Sequence, residues 1–145
     1  MARIEFTTEV KRPVEEVFAY LTDPANLPEW QSGAIEGRME TLAPLAVGSR
    51  LVEVRKFLGR KLESTLEVTE YEPSRRFAFK VVSGPVPFHV EHTLEPSNGG
   101  TRLSVVGEGE SGGFFKLAEP LVIKAVERQT KSDFETLKDL LEARG

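Results

Sequence analysis

The sequence contains no cysteine, a single tryptophan, two histidines and two tyrosines among its 145 residues. Without cysteine, disulfide frameworks, thiol nucleophiles, thiolate zinc sites and iron–sulfur clusters are all excluded. An excess of positive charge is also lacking. Lys and Arg number 19 against 23 Asp and Glu, so the net charge is −4 and the overall field does not attract nucleic acid or anionic membranes. No apolar run approaches the ~18 residues of a membrane span. The opening MARIEFTTEVKR has no apolar core of the kind that marks a secretion signal. These absences predict one soluble, cytoplasmic domain over residues 1–145. A chain of that length buries roughly 70% of its unfolded surface, enough for a core without staples.

What is present has clear periodicity. Ile4, Phe6, Thr8 and Val10 alternate with Arg3, Glu5, Thr7 and Glu9, the pattern of a half-buried strand. Pro13 suits a first helical turn, and Val14, Val17, Phe18 and Leu21 follow at helical spacing. Asp23-Pro24 stops that helix, because a residue before proline avoids the α region. A second short helical piece is expected from Pro24 to Trp30. Residues 34–110 then read as about six strands separated by turn signals. From Gly113 onward the period changes to that of a helix. Val122 or Ile123, Val126, Thr130, Phe134, Leu137 and Leu141 form its apolar stripe, with Pro120 at its start or kinking its first turns.

Two turns set the expected registers. Asn98-Gly99 is a strong hairpin signal and pairs Leu94 with Leu103, His92 with Val105, Val90 with Gly107 and Phe88 with Gly109. Gly59-Arg60 suits a turn with glycine in its first central position, pairing Arg55 with Ser64 and Glu53 with Leu66. A meander of six or seven antiparallel strands with one apolar face needs a cover, and the C-terminal helix is the only element long enough to supply it. A twisted sheet cannot close on one helix everywhere, and the residual space is the expected pocket.

The segment KRPVEEVFAYLTDPANLPEW (residues 11–30) resembles the opening of the polyketide cyclase/dehydrase and lipid-transport superfamily, the START-like, helix-grip proteins related to the birch-pollen allergen. Val47-Gly48-Ser49, the run from Glu67 to Pro73, Gly100-Thr101-Arg102-Leu103 and the run from Ser132 to Lys138 carry the same likeness, which covers essentially the whole chain. The resemblance implies an α+β helix-grip fold. In it a curved antiparallel sheet of six to seven strands wraps a long C-terminal helix, with two short helices after the first strand. It also implies a largely apolar cavity for a lipid-, sterol- or polyketide-like molecule. Only some members of the superfamily are enzymes, so the resemblance names no reaction.

Candidate site residues follow from the faces. Glu53, Arg55, Ser64 and His92 fall on the inner face, where unpaired charge is costly to bury. They are read either as polar anchors for a ligand or as a self-satisfied structural group. His92 is the one candidate for acid–base catalysis. Phe57, Phe79, Phe88 and Phe134 are expected to line the cavity or to fill a plain core. The resemblance implies that Trp30 helps form its wall or lid, with ordinary packing as the alternative, and Thr130 is expected as a helix residue facing it. His89 and His92 are three apart on a strand and point to opposite faces, so no metal site is expected. Gly107-Glu108-Gly109-Glu110-Ser111-Gly112 matches a dinucleotide motif in letters, but no parallel strand follows its helix, and no cofactor is expected.

Three function classes stand open. The leading one is a non-catalytic carrier or sensor of a hydrophobic small molecule, monomeric or homodimeric, without nucleic acid and without stable membrane insertion. The second is a polyketide aromatase/cyclase or dehydratase using His92 or Arg55. The third is a protein- or membrane-interaction module using either the basic tip that contains Arg55, Lys56, Arg60 and Lys61 or the outer face of the sheet.

Overall fold

A computed structural model describes residues 2–42, 44–57, 59–84, 87–109 and 120–144. Seven strands form one antiparallel sheet: β1 (Ala2–Val10), β2 (Ala34–Met39), β3 (Arg50–Phe57), β4 (Arg60–Glu72), β5 (Arg76–Ser83), β6 (Phe88–Ser97) and β7 (Gly100–Gly109). Their order is β1-β7-β6-β5-β4-β3-β2, a meander whose first strand closes onto the last. Helices α1 (Val14–Thr22) and α2 (Leu27–Trp30) follow β1, joined by a 3-10 turn at Pro24–Asn26, and α3 (Pro120–Glu142) ends the chain. This is the expected helix-grip architecture, with the long helix lying on the concave face.

Local chemistry accounts for the boundaries. Pro13 is extended (φ −60°, ψ 150°) and hands over to α1, whose first turn carries Glu15 and Glu16 against the positive end of the helix dipole. Asp23 ends α1 in an extended conformation, and its carboxylate accepts from Ala25 N at 3.0 Å to start the 3-10 turn. Gly37 of β2 runs under that turn so closely that a Cβ would sit 2.1 Å from Pro24 O. This contact seats α2, and with it Trp30, against the sheet.

The β6–β7 hairpin has the expected register, His92 opposite Val105 and Phe88 opposite Gly109. Asn98 (φ 49°) and Gly99 (φ 80°) both take the left-handed conformation that a two-residue hairpin loop requires. The β3–β4 hairpin differs from expectation by two residues. Phe57 faces Arg60, Glu53 faces Ser64 and Arg55 faces Leu62, while Gly59 has φ 78°. The chain thus uses glycine late in the turn rather than first. Because side chains alternate with period two, this slip changes partners but not faces. Two bulges between β4 and β5, with Val82 as the extra residue of β5 at Thr65/Leu66 and Thr69 as that of β4 at Val68/Glu70, add the local bend and twist that curl the sheet.

The core is packed at one end of the sheet. Phe134, Leu137 and Leu141 from α3 meet Val10, Val17, Leu66, Val68, Leu94 and Leu103, all buried. No helix among the described residues is long and apolar enough to cross a membrane.

Candidate functional site

Along the inner face, burial falls off in the same direction on five strands. On β1, Val10 is buried but Phe6 and Ile4 are half-buried; on β6, Leu94 and His92 are buried but Val90 and Phe88 are half-buried. Phe77 gives way to Phe79 and Val81 on β5, Leu66 to Ser64 and Leu62 on β4, and Glu53 to Arg55 on β3, while β7 carries the glycines Gly107, half-buried, and Gly109, buried. Each change runs toward the end that holds the β3–β4 hairpin. A Cβ placed on Gly107 would meet nothing nearer than 3.9 Å. The C-terminal half of α3 therefore closes one end of the sheet with side chains, and the opposite end of the inner face is the more open one among the described residues. The side chains of residues 120–123, including Val122 and Ile123, lie outside the described residues.

At the boundary between closed and open ends sits a chain of rings. Phe134 of α3 meets Trp30 (centroids 4.9 Å apart), Phe6 (5.3 Å) and His92 (6.0 Å). His92 stacks on Phe77 and tilts against Phe79, which touches Phe88 edge-on at 6.4 Å. Five expected site residues, Trp30, Phe79, Phe88, His92 and Phe134, thus belong to one connected group. Phe57 ends β3, and its side chain lies outside the described residues.

His92 is 4% exposed, and its Nδ1 lies 2.9 Å from Phe77 O. A carbonyl only accepts, so Nδ1 carries the proton and Nε2 a lone pair. Burial pushes the imidazole pKa down to about 4, opposed in part by the bond to Phe77 O. At neutral pH His92 is an uncharged acceptor, and its Nε2 has no hydrogen-bond partner among the described residues. Trp30 Nε1 is a buried donor that likewise has none there.

The polar pair is also brought together. Glu53, 5% exposed, accepts from Arg55 Nε at 2.6 Å and is ion-paired with Nη2 at the same distance, while Arg55 Nη2 donates to Gln31 Oε1. This is the self-satisfied arrangement. Ser64 lies across from Glu53, but Gly84 covers it so closely that a Cβ there would stand 2.7 Å from Oγ. The Thr130 hydroxyl donates to Val126 O at 2.8 Å, so it serves its own helix.

Sequence reasoning missed a second polar group. Asp133, buried on α3, accepts from Ser32 N (3.2 Å) and Gln129 Nε2 (2.9 Å), and Gln129 Nε2 also reaches Ser32 Oγ (2.6 Å). These bonds fasten Ser32, two residues after α2, to the helix, close in sequence to Trp30 and Phe134. The available signal was a carboxylate three residues from Thr130 and four from Leu137, on the flank of the apolar stripe. His89 is on the outer face, 3.6 Å from Glu108, opposite in direction to His92. Two surface grooves, of about 580 and 230 Å³, lie between the start of α1 and the β4–β5 turn and on the outer face around Lys80 and His89.

Residues 1–142 match the family described as polyketide cyclase / dehydrase and lipid transport. The chain belongs to this family. Solved structures resemble it over nearly its full length. TTHA0849 from Thermus thermophilus superposes with a TM-score of 0.81 at 19% identity, covering 99% of both chains. Ara h 8.0201 gives 0.74 at 11% identity and 97% of both, and MLL2253 from Mesorhizobium loti 0.73 at 22%, over 99% of this chain and 98% of that one. No curated protein matches the sequence at a significant level. Membership of the polyketide cyclase/dehydrase and lipid-transport family agrees with the architecture expected from the residues, and the low identities leave the contents of the site to its own chemistry.

Proposed function

We propose that this protein buries an uncharged, largely apolar small molecule at the open end of its inner face, beneath α3, as a non-catalytic cytoplasmic carrier or sensor. The observation that carries this reading is the graded burial: five strands leave inner-face side chains only half-buried at the same end. A ligand covering Ile4, Phe79, Val81, Phe88 and Val90 would remove apolar surface from water at about 25 cal/mol per Å². The family's description, polyketide cyclase / dehydrase and lipid transport, supports a lipid-, sterol- or polyketide-like ligand.

The polar groups argue for a neutral ligand. Arg55 is already neutralised by Glu53 and bonded to Gln31, so it offers little to a carboxylate. His92 Nε2 presents a lone pair, which suits a hydroxyl donor. As a general base His92 is poorly matched to neutral pH, because a base with pKa about 4 gains little on accepting a proton. That weakens the aromatase or dehydratase alternative.

Native mass spectrometry of the purified protein, with saturation by a neutral apolar fluorescent probe, tests this reading. One bound molecule per chain, lost in Phe88→Asp with the melting transition retained, is the expected result. Absence of saturable binding, or binding unchanged in Phe88→Asp, overturns it.

A further inference from the structure

Ion pairing on the sheet is nearly complete. Arg3, Arg38, Arg50, Arg55, Arg76, Lys80 and Arg102 each have a carboxylate within 4.0 Å. Among the described residues the strand-borne cations without one are Lys56, Arg60 and Lys61, and all three lie at the tip of the β3–β4 hairpin. Lys56 and Lys61 stand directly opposite each other across the two strands, an arrangement that repels. Glu63, on the same hairpin, is not within 4.0 Å of either lysine. The tip also projects. Pairing of β4 with β5 begins only at Thr65 and Ser83, so residues 60–64 have β3 as their one neighbouring strand. All three cations are exposed.

We propose that this hairpin tip docks on the surface of an anionic lipid bilayer. A chain of net charge −4 that pairs its other strand cations, yet opposes two lysines at one protruding tip, keeps a local positive field that a negatively charged surface would neutralise. Between the cations the sequence supplies two apolar residues, Phe57 and Leu58. A basic projection with Phe57 as the single aromatic residue among its cations, on a chain of net charge −4, suits lipid headgroups better than a nucleic-acid groove, which calls for several interleaved aromatic residues and a basic overall field. The tip adjoins Arg55 and the open end of the inner face, so docking would bring that opening against the bilayer. Only this purpose, and not the docking itself, rests on the ligand reading above.

Co-sedimentation of the whole protein with vesicles of phosphatidylcholine alone, and with vesicles rich in phosphatidylserine, tests it at low and high salt. Binding is expected to the anionic vesicles only and to fade with salt. The combined Lys56→Gln, Arg60→Gln and Lys61→Gln variant should bind roughly 100-fold more weakly, at about 5-fold per cation. Lys11→Gln with Arg75→Gln, exposed cations at the opposite end of the sheet, should leave binding unchanged. Lys56→Glu is the sharper variant. It converts the like-charge pair into an opposite-charge pair, so the melting temperature should rise while vesicle binding falls. Equal binding to neutral and anionic vesicles, or undiminished binding by the triple variant, overturns the proposal. So does capture of an acidic protein through the tip without vesicle binding.

Discussion

His92 is held by Phe77 twice: its Nδ1 lies 2.9 Å from the Phe77 carbonyl oxygen, and its ring stacks on the Phe77 ring with centroids 5.7 Å apart. The two residues face each other across β5 and β6. One contact fixes the tautomer and the other the ring plane, so Nε2 has a defined direction before any ligand arrives.

The same burial gives stability a pH dependence. In the unfolded chain His92 takes a proton below pH ~6.5, whereas in the folded protein it does so only near 4. Between those values the unfolded state binds more protons, so stability falls as pH drops from ~6.5 to 4 and is unaffected by this group above that range. The loss should total about 3 kcal/mol at pH 4. Urea unfolding from pH 4 to 7 checks this in the parent and in His92→Phe. The variant should lack this part of the acid slope, and identical slopes would contradict the burial of an uncharged imidazole.

Glu53 and Arg55 should behave asymmetrically. The Glu53 side chain is 6% exposed and that of Arg55 33%, so Arg55 can find water if its partner is lost but Glu53 cannot. Arg55→Leu should therefore cost about 3 kcal/mol, since it strands a buried carboxylate. The double change Glu53→Leu and Arg55→Leu should cost markedly less than Arg55→Leu alone. Chemical denaturation of the three proteins measures the difference.

Legibility from sequence followed the local rules. The Asn98-Gly99 turn needs two left-handed residues, and that requirement alone fixed the register of β6 and β7 and put His92 on the inner face. At Gly59 the single glycine left two turn positions open, and the register came out two residues away with faces intact. Parity is why Glu53, Arg55 and His92 were legible. Gln31 and Asp133 were not, because their partners come from elements 24 and 101 residues away in sequence and no periodicity carries such a contact. The cover that Gly84 places over Ser64 was hidden for the same reason.

Phe134 is the ring on which the aromatic group converges. Phe134→Ala removes contacts to Trp30, Phe6 and His92 together and should cost about 3–5 kcal/mol, seen as a lower denaturation midpoint. Phe134→Leu keeps most of the volume and should cost clearly less.

Gly37 tests how Trp30 is placed. In Gly37→Ala the new methyl would meet Pro24 O at 2.1 Å and Leu27 Cδ1 at 2.8 Å, and the first of these is backbone that cannot rotate away. The 3-10 turn and α2 must then shift off β2, at a cost of about 1–3 kcal/mol. Trp30 is the only tryptophan and is 3% exposed, so its emission should be blue-shifted in the parent and move toward the red in Gly37→Ala. The ring packs on Phe134 at the boundary of the open end, so the displacement should also weaken binding of an apolar probe. Gly48→Ala serves as the control: nothing lies within 4 Å of a Cβ there, and its φ of 92° confines the strain to an exposed loop, so stability should fall without a change in Trp30 emission.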